Sequence, residues 1–400
     1  MLPPAAVLLG WALTRVAMVA VVHWSRYPGP GAVTSDPGLY ASWVTLLRSG
    51  HFPATDPSWQ YPPGAAGVLV VPSFAGVGYR SAFVATMLAV DLAVLLGLLR
   101  RAPERNRTAA AWVWVAGIAA IGPVALYRFD MVPTGLAIAG MLAASPYAAG
   151  ALLGLGGLVK LWPAVLILAV RERGVPVRAA RAMLAVAVGL LGALGIAGRL
   201  GEALSFAVHA RNRGLQIESV AATPYLLVHA LAPDAGGLRI EARYGAYEVV
   251  GRYVGLSVTV TTLAGLVALA AYAVAALRSS RGGTGDKPGL AFAAVLLLLV
   301  TSKVLSPQYL IWAIGLGAVT LLGGTERHRA AVGLTLAAAA MTQVVFPGVY
   351  LSVLHGRAWA VLLLAVRNAL LVAAAGLTVS RALAPSAPRH SQPNRPEAIR

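Results

Sequence analysis

The chain has 400 residues, of which 58% are hydrophobic and 12% charged, and its formal net charge is +18. Soluble domains carry about 25% charged residues, so this composition predicts a polytopic membrane protein. The basic residues form short clusters between apolar runs, which indicates a topology signal and argues against nucleic-acid binding. The sequence contains no cysteine, which excludes disulfides, thiolate nucleophiles and cysteine-ligated metals.

The first apolar run, residues 5–23, has no basic segment before it and no cleavage site after it, which favours a retained membrane span. A polar, aromatic-rich stretch follows at residues 34–64. In it Asp36 precedes Pro37, and apolar residues recur from Leu39 to Leu47 with the spacing of an amphipathic helix. The pattern predicts a helix with Asp36 as N-cap and Pro37 at the first helical position. Asp36 is therefore either a structural cap or a functional carboxylate, and this stretch leaves both readings open.

Basic clusters fix the orientation of the chain. The positive-inside rule places all of them in the cytoplasm. They are Arg100, Arg101, Arg105 and Arg107; Arg171, Arg173, Arg178 and Arg181; Arg278, Arg281 and Lys287; Arg327 and Arg329; and the tail after Arg381. Both termini are then expected on the cytoplasmic side of a multi-pass protein of the plasma membrane.

This assignment constrains the number of crossings. An odd number must separate the external loop at Tyr61 from the cluster at Arg100. We predict one span at 81–99 and a juxtamembrane helix at 64–78, with a second short span at 64–78 as the alternative. Residues 131–170 must also cross an odd number of times, and breaks at Ser145-Pro146 and at 160–163 predict three short helices.

The sequence thus predicts an all-α membrane domain over residues 1–380 with about twelve transmembrane helices. The remaining predicted spans are 108–126, 182–199, 251–277, 289–303, 307–323, 331–345 and 356–379. External loops are predicted at 24–80, with juxtamembrane helices, and at 200–250. The tail at 381–400 is rich in Pro, Ser and Arg, which predicts a disordered cytoplasmic segment.

On this topology the unusual polar motifs share the external face. They are Asp36, Asp56 and Tyr61-Pro62-Pro63; Arg128 and Asp130; Lys160; residues 209–219; and residues 301–309. Such a concentration of charge and aromatic rings predicts a site for a polar, partly anionic substrate. Charged residues also fall inside the predicted spans: Arg15, Asp91 and Arg367. We expect each of them either to pair with a structural partner in the bundle or to belong to a proton pathway.

The order of these motifs resembles that of a known superfamily. YPP at 61–63, RFD at 128–130, AGALLGLGGLVKLWP at 149–163, RGLQIES at 213–219 and SPQYLIW at 306–312 resemble the polyprenol-phosphate-sugar-dependent membrane glycosyltransferases of the GT-C superfamily. The actinobacterial family 87 mannosyltransferase-like proteins are the most similar among these. The likeness covers residues 34–320, and it implies a GT-C-like bundle with an active site at the outer membrane boundary. It also implies that Asp36 is the catalytic base.

The chemistry implied by the resemblance is sugar transfer, with mannose the expected sugar, from a polyprenyl-phosphate donor to a hydroxyl of a lipid or cell-envelope glycan. Cations must stabilise the departing phosphate. The candidates for this role are Lys160, Arg213, Lys303 and Arg128. Candidate substrate-binding residues are Asp130, Tyr61, His209, Gln216, Glu218 and Gln308. The alternative for His209 is that it is a solvated loop residue without a role in binding. Because Asp36 and Asp56 lack a DxD spacing, no metal and no obligate cofactor are predicted.

Three alternatives remain open at this point. One is transfer of arabinose or another pentose from the same class of donor. Another is a transporter or flippase of a lipid-linked sugar, which would need a site near the bilayer midplane and often internal repeats. The third is a catalytically inactive relative with a scaffold role.

Overall fold

The computed structural model describes residues 3–24, 30–101, 107–170, 175–232, 237–282, 286–322 and 326–383. Predicted basic residues Arg105, Arg171 and Arg173 lie outside these ranges, as does most of the predicted disordered tail. Residues 381–383 of that tail are described, and they continue the last helix.

The chain is mostly helical. The described α-helices are α1 Pro4–His23, α2 Pro30–Arg48, α3 Gly64–Val70, α4 Tyr79–Arg101, α5 Arg107–Ile121, α6 Met131–Leu142, α7 Pro146–Val159, α8 Trp162–Val165, α9 Val177–Ile196, α10 Leu200–Leu204, α11 Phe206–Asn212, α12 Thr223–Leu231, α13 Val254–Gly282, α14 Lys287–Val300, α15 Leu310–Leu322, α16 Arg329–Gln343, α17 Tyr350–Leu354 and α18 Ala358–Leu383. Short 3₁₀ segments extend α3 to Phe74 and α8 to Ala169.

Six of the described helices are long and apolar enough to cross a membrane. They are Pro4–His23, Tyr79–Arg100, Val177–Ile196, Val254–Ser279, Arg329–Gly348 and Ala358–Leu383. Shorter apolar helices occupy most of the other predicted spans, so the prediction of about twelve spans is not confirmed. Residues 131–170 do form three short helical pieces, α6, α7 and α8, with breaks at the two predicted positions.

The core is centred on α15, in which every residue from Leu310 to Leu322 is buried. It packs against α5, α6, α14 and α16. Glycines permit close approach at this centre: a Cβ on Gly315 would lie 2.6 Å from Thr134 Cγ2. The helix is apolar on all sides, as expected for one with no exposed face.

A buried ion pair joins three helices. Arg15 of α1 donates from Nε and Nη2 to the carboxylate of Asp91 in α4, at 2.7 and 3.0 Å. The indole nitrogens of Trp11 and Trp114 donate to the same carboxylate, at 2.6 and 2.7 Å. Arg15 and Asp91 thus each have a structural partner, one of the two roles considered for them, and each carboxylate oxygen accepts two hydrogen bonds.

The prediction of an all-α chain misses one small sheet. Strands β1 Leu215–Gln216, β2 Arg239–Arg243 and β3 Ala246–Val250 form an antiparallel sheet in the order β1-β3-β2. All three strands lie in the predicted external segment 200–250. The strands are short and carry charged residues, so they lack the continuous apolar run by which a membrane helix is recognised.

Candidate active site

One cavity of about 500 Å³ collects most of the predicted site residues. Its wall includes Asp36, Tyr61, Arg128, Lys160, Arg213, Gln216, Glu218 and Gln308. These residues come from α2, from the loops that follow α2, α5 and α7, from the segment around β1, and from the 3₁₀ turn before α15. Three other predicted site residues, Asp130, His209 and Lys303, do not line the cavity. Asp130 and Lys303 contact the wall residues Lys160 and Arg213, and His209 contacts Trp59, which adjoins the wall residue Gln60.

Asp36 is not the N-cap of its helix, so that part of the prediction is wrong. Helix α2 begins at Pro30, and Pro37 lies in its interior. Proline has no N–H, and this leaves the carbonyl four residues earlier, that of Val33, without its helical donor. Arg128 supplies the missing hydrogen-bond donor, because its Nη1 donates to Val33 O at 3.0 Å.

The same arginine holds Asp36. Arg128 Nε lies 2.6 Å from Asp36 Oδ2, and the hydroxyl of Tyr40 donates to that oxygen at 3.2 Å. Oδ1 accepts no hydrogen bond from any residue that the structure describes. The Asp36 side chain is 25% exposed and lines the cavity. One oxygen is thus fixed, and the other is available to a substrate.

Asp56, the other carboxylate of this loop region, differs from Asp36. Its Oδ2 accepts from Trp43 Nε1 and its Oδ1 from the backbone N–H of Ser58, each at 2.8 Å. Both oxygens are used to hold the loop, and Asp56 does not line the cavity.

Lys160 enters the cavity wall where α7 ends. Its Nζ donates to Asp130 Oδ1 at 2.7 Å, and Trp312 Nε1 donates to the same oxygen at 2.7 Å. Four aromatic rings surround the ammonium group, with centroids 4.4 to 5.9 Å away: those of Tyr61, Phe129, Tyr309 and Trp312. Lys160 is therefore held by a carboxylate and by cation–π contacts before any ligand binds.

Arg213 retains a free donor. Its Nε donates to Glu248 Oε1 at 2.8 Å and its Nη1 to Gln60 Oε1 at 2.6 Å. Nη2 is buried and has no hydrogen-bond partner among the described residues. A buried N–H without a partner is unfavourable, so this position favours an acceptor such as a phosphate oxygen.

Lys303 hydrogen-bonds to the backbone at and just before this arginine. Its Nζ donates to the carbonyls of Arg211 and Arg213, at 2.9 and 2.7 Å. Burial, followed by the nearby charge of Arg213, lowers the pKa of Lys303. Gln216 is fixed in the same region, since its Oε1 accepts from the backbone N–H of Leu305 at 2.7 Å. His209 contacts the carbonyl of Trp59 through Nδ1 at 2.9 Å, away from the cavity.

Glu218 is a buried carboxyl at the cavity wall. Its nearest cation is Arg367 of α18, with Nη2 3.4 Å from Oε2. Burial raises the pKa of Glu218 to about 7, and the charge of Arg367 opposes that shift. Arg367 also contacts the backbone of Glu218, so it has a structural partner, one of the two roles considered for it.

The sequence analysis did not identify several wall residues. They are Gln60, Tyr244, Tyr247, Tyr309, Phe346 and Tyr350. Tyr309 could have been inferred from the SPQY motif. Nothing in the local sequence marks Tyr350 or Phe346, because they reach the cavity only through the packing of α16, α17 and α18. Within the described ranges, no group of three or more His, Asp or Glu side chains could hold a metal ion.

Residues 59–232 match the model of glycosyltransferase family 87. This confirms the predicted resemblance over that part of the chain, which carries Tyr61, Arg128, Lys160, Arg213 and Glu218. Asp36 lies before the matched segment. No curated protein gives a significant match to the sequence.

Two solved structures show a distant likeness. The crystal structure of ArnT from Cupriavidus metallidurans in the apo state is 17% identical, with a TM-score of 0.41, over 94% of this chain and 78% of that one. The same protein bound to undecaprenyl phosphate gives 18% identity and a TM-score of 0.38, over 95% of this chain and 79% of that one. Scores of this size do not establish a common arrangement of helices.

Proposed function

We propose that this membrane protein, part of which matches glycosyltransferase family 87, transfers mannose from a polyprenyl-phosphate donor to a hydroxyl of a lipid or cell-envelope glycan. The observation that carries the proposal is the pairing of two unpartnered atoms in one cavity wall. Asp36 offers a carboxylate oxygen and Arg213 offers a guanidinium nitrogen. Sugar transfer from a lipid phosphate needs these two groups: a base for the acceptor proton and a cation for the departing phosphate.

In this mechanism Asp36 Oδ1 accepts the proton of the acceptor hydroxyl as that oxygen attacks the anomeric carbon. The bond from that carbon to the phosphate oxygen breaks, and the electron pair leaves with the phosphate. Arg213 Nη2 donates to the phosphate, while Arg128 holds Asp36 Oδ2. The hydroxyl of Tyr61 stays protonated, because burial raises its pKa far above the usual value, and it donates to a sugar oxygen. No step requires a metal ion.

The site is proposed to face the exterior with both termini in the cytoplasm, as the basic clusters indicate. Two of the four cations predicted to contact phosphate, Lys160 and Arg128, are already paired with Asp130 and Asp36. We therefore assign the main phosphate contact to Arg213. Lys160 supplies a fixed positive field, and Lys303 supports the backbone of Arg213.

The test is transfer of labelled sugar from polyprenyl-phosphate mannose and, in parallel, from polyprenyl-phosphate arabinose to envelope lipids and glycans by the full-length protein in lipid nanodiscs. Asp36→Asn keeps the shape of the side chain but cannot take the proton, so turnover should fall about 10²- to 10⁴-fold. Glu241→Gln is the control, since that carboxylate pairs with the exposed Arg239 and Arg243 and lies outside the cavity, and it should keep near wild-type turnover.

The other outcomes of this assay would each support a different function or a different catalytic base. Transfer of arabinose in place of mannose would retain the mechanism and change the sugar. Movement of the intact lipid-linked sugar across the bilayer without transfer would replace the enzyme with a flippase. If Asp36→Asn keeps more than about a tenth of the wild-type rate, the base is another residue.

A further inference from the structure

The turn between β2 and β3 places a tyrosine, Tyr244, in a backbone conformation that bulky residues rarely adopt. Arg243 pairs with Ala246, which leaves a two-residue loop of Tyr244 and Gly245. Both have positive φ, 53° and 72°. A two-residue hairpin loop of this kind favours Asn-Gly, Asp-Gly or Gly-Gly, because a side chain with a bulky ring fits the left-handed region poorly. Tyr244 is the only non-glycine residue with positive φ in the part of the chain that the structure describes.

The strained tip faces the candidate active site. Tyr244, Gly245, Ala246 and Tyr247 all line the cavity. The carbonyl of Tyr244 lies 3.5 Å from Gln60 Nε2, so the tip reaches the loop that follows α2. The guanidinium carbon of Arg213 lies 5.9 Å from the centroid of the Tyr244 ring. The ring is therefore beside the cation that we assign to the donor phosphate, and it remains partly exposed.

We infer that Tyr244 is a sugar-binding residue, whose ring stacks on the sugar of the donor next to the phosphate held by Arg213. A residue that strains its backbone at a cavity wall is best explained by contact with a ligand. An aromatic ring has two faces, so one face of Tyr244 can stack on the C–H groups of a sugar ring while the other lies towards the guanidinium of Arg213. The inference rests on the proposed function, because it takes the phosphate position from Arg213.

Tyr244→Asn tests the inference, because stability and binding should respond in opposite directions. Asparagine suits the turn, so the melting temperature should be equal to or higher than that of the wild type. The affinity for the sugar-bearing lipid should fall about tenfold, because one aromatic stacking contact with the sugar is lost. Tyr244→Phe keeps the ring and should keep the affinity.

The experiment compares two probes on the full-length protein in nanodiscs: a sugar-bearing polyprenyl phosphate, in mannose and arabinose forms, and the sugar-free polyprenyl phosphate. Tyr244→Asn should weaken only the sugar-bearing lipid, whereas Arg213→Gln should weaken both. Tyr253→Asn is the matched control. Tyr253 lies just after the same hairpin and also has an arginine over its ring, with Arg252 Cζ 5.2 Å from the centroid, but it does not line the cavity.

Two results would overturn the inference while leaving the proposed function intact: unchanged affinity of Tyr244→Asn for the sugar-bearing lipid, or equal weakening of both lipids. Failure of the wild type to bind any of the lipids would count against the proposed function itself, and the inference would fall with it.

Discussion

Asp36 and Asp91 both bind an arginine, but their surroundings differ. Asp91 lies between α1, α4 and α5, and its two oxygens accept from two indoles and from two atoms of Arg15. Asp36 lies at the cavity, and Arg128 and Tyr40 share only its Oδ2. A carboxylate with both oxygens engaged stabilises the fold and has no capacity left for a substrate. One with a free oxygen can accept a proton, so hydrogen-bond saturation separates the two roles.

The largest effect on stability should come from Asp91→Asn. Breaking a fully buried pair leaves the charge of Arg15 without its partner and costs about 3–5 kcal/mol. We expect a much lower melting temperature and a lower folded yield, whereas the folded fraction should keep wild-type turnover per molecule.

A double replacement sharpens this comparison. Arg15→Met combined with Asp91→Leu removes both charges and should recover part of the lost stability, because the indole N–H groups of Trp11 and Trp114 then lack an acceptor. Loss of turnover in the folded fraction of Asp91→Asn would instead place this pair in a functional pathway, such as proton movement.

A smaller effect, on turnover alone, is expected from Pro37→Ala. Alanine supplies an N–H to Val33 O, which then competes with Arg128 Nη1 for that carbonyl. The helix should become more stable, but Arg128 and Asp36 should shift. Weakening one charge-assisted hydrogen bond costs about 1.5–3 kcal/mol, so kcat should fall about 10- to 100-fold with little change in KM.

Arg128→Lys is the companion variant, since an ammonium group cannot contact Asp36 Oδ2 and the Val33 carbonyl with the geometry of a guanidinium. It should show the same loss in kcat. Wild-type turnover in Pro37→Ala would mean that the released carbonyl has no part in positioning Asp36.

The smallest effect concerns Glu218, which combines features of both carboxylates. It is as buried as Asp91 but has only a distant arginine contact, and it lines the cavity as Asp36 does. Burial raises its pKa to about 7, whereas an unfolded Glu titrates near 4.3. Between these pH values the folded state holds a proton that the unfolded state has lost, so stability falls as pH rises from about 4.3 through about 7.

Glu218→Gln removes this titration. Denaturation midpoints at pH 5, 6, 7, 8 and 9 should decline from pH 5 to about pH 8 more steeply in the wild type than in the variant, and run parallel above about pH 8, where Glu218 is ionised in both states. Curves that are parallel throughout would show that Glu218 is already ionised at pH 5.

The sequence predicted those features that depend on local pattern and topology. Breaks at Ser145-Pro146 and at Lys160 were found where they were expected, because proline and an ionisable residue interrupt an apolar helix. Eight of the predicted site residues line one cavity. The cap assigned to Asp36 was wrong because Pro37 is also tolerated within a helix when another donor, here Arg128, takes the released carbonyl.

Long-range pairing was beyond the reach of sequence pattern. Arg367 and Glu218 are 149 positions apart, and neither local sequence indicates the other. The turn at Tyr244 was missed for a related reason: its Tyr-Gly dipeptide is not a favoured hairpin signal, and its strain is recognisable only once the backbone is known.

The contact between α7 and α9 has a consequence for mutational tolerance. Helix α9 exposes large apolar residues such as Leu184 and Val188 along its outer side. On its inner side, a Cβ on Gly150 of α7 would lie 1.9 Å from the carbonyl oxygen of Ala179, so the two backbones touch. Substitutions among apolar residues can therefore accumulate on the lipid-facing side of α9 with little effect, whereas a single methyl group added at Gly150 would force the two helices apart.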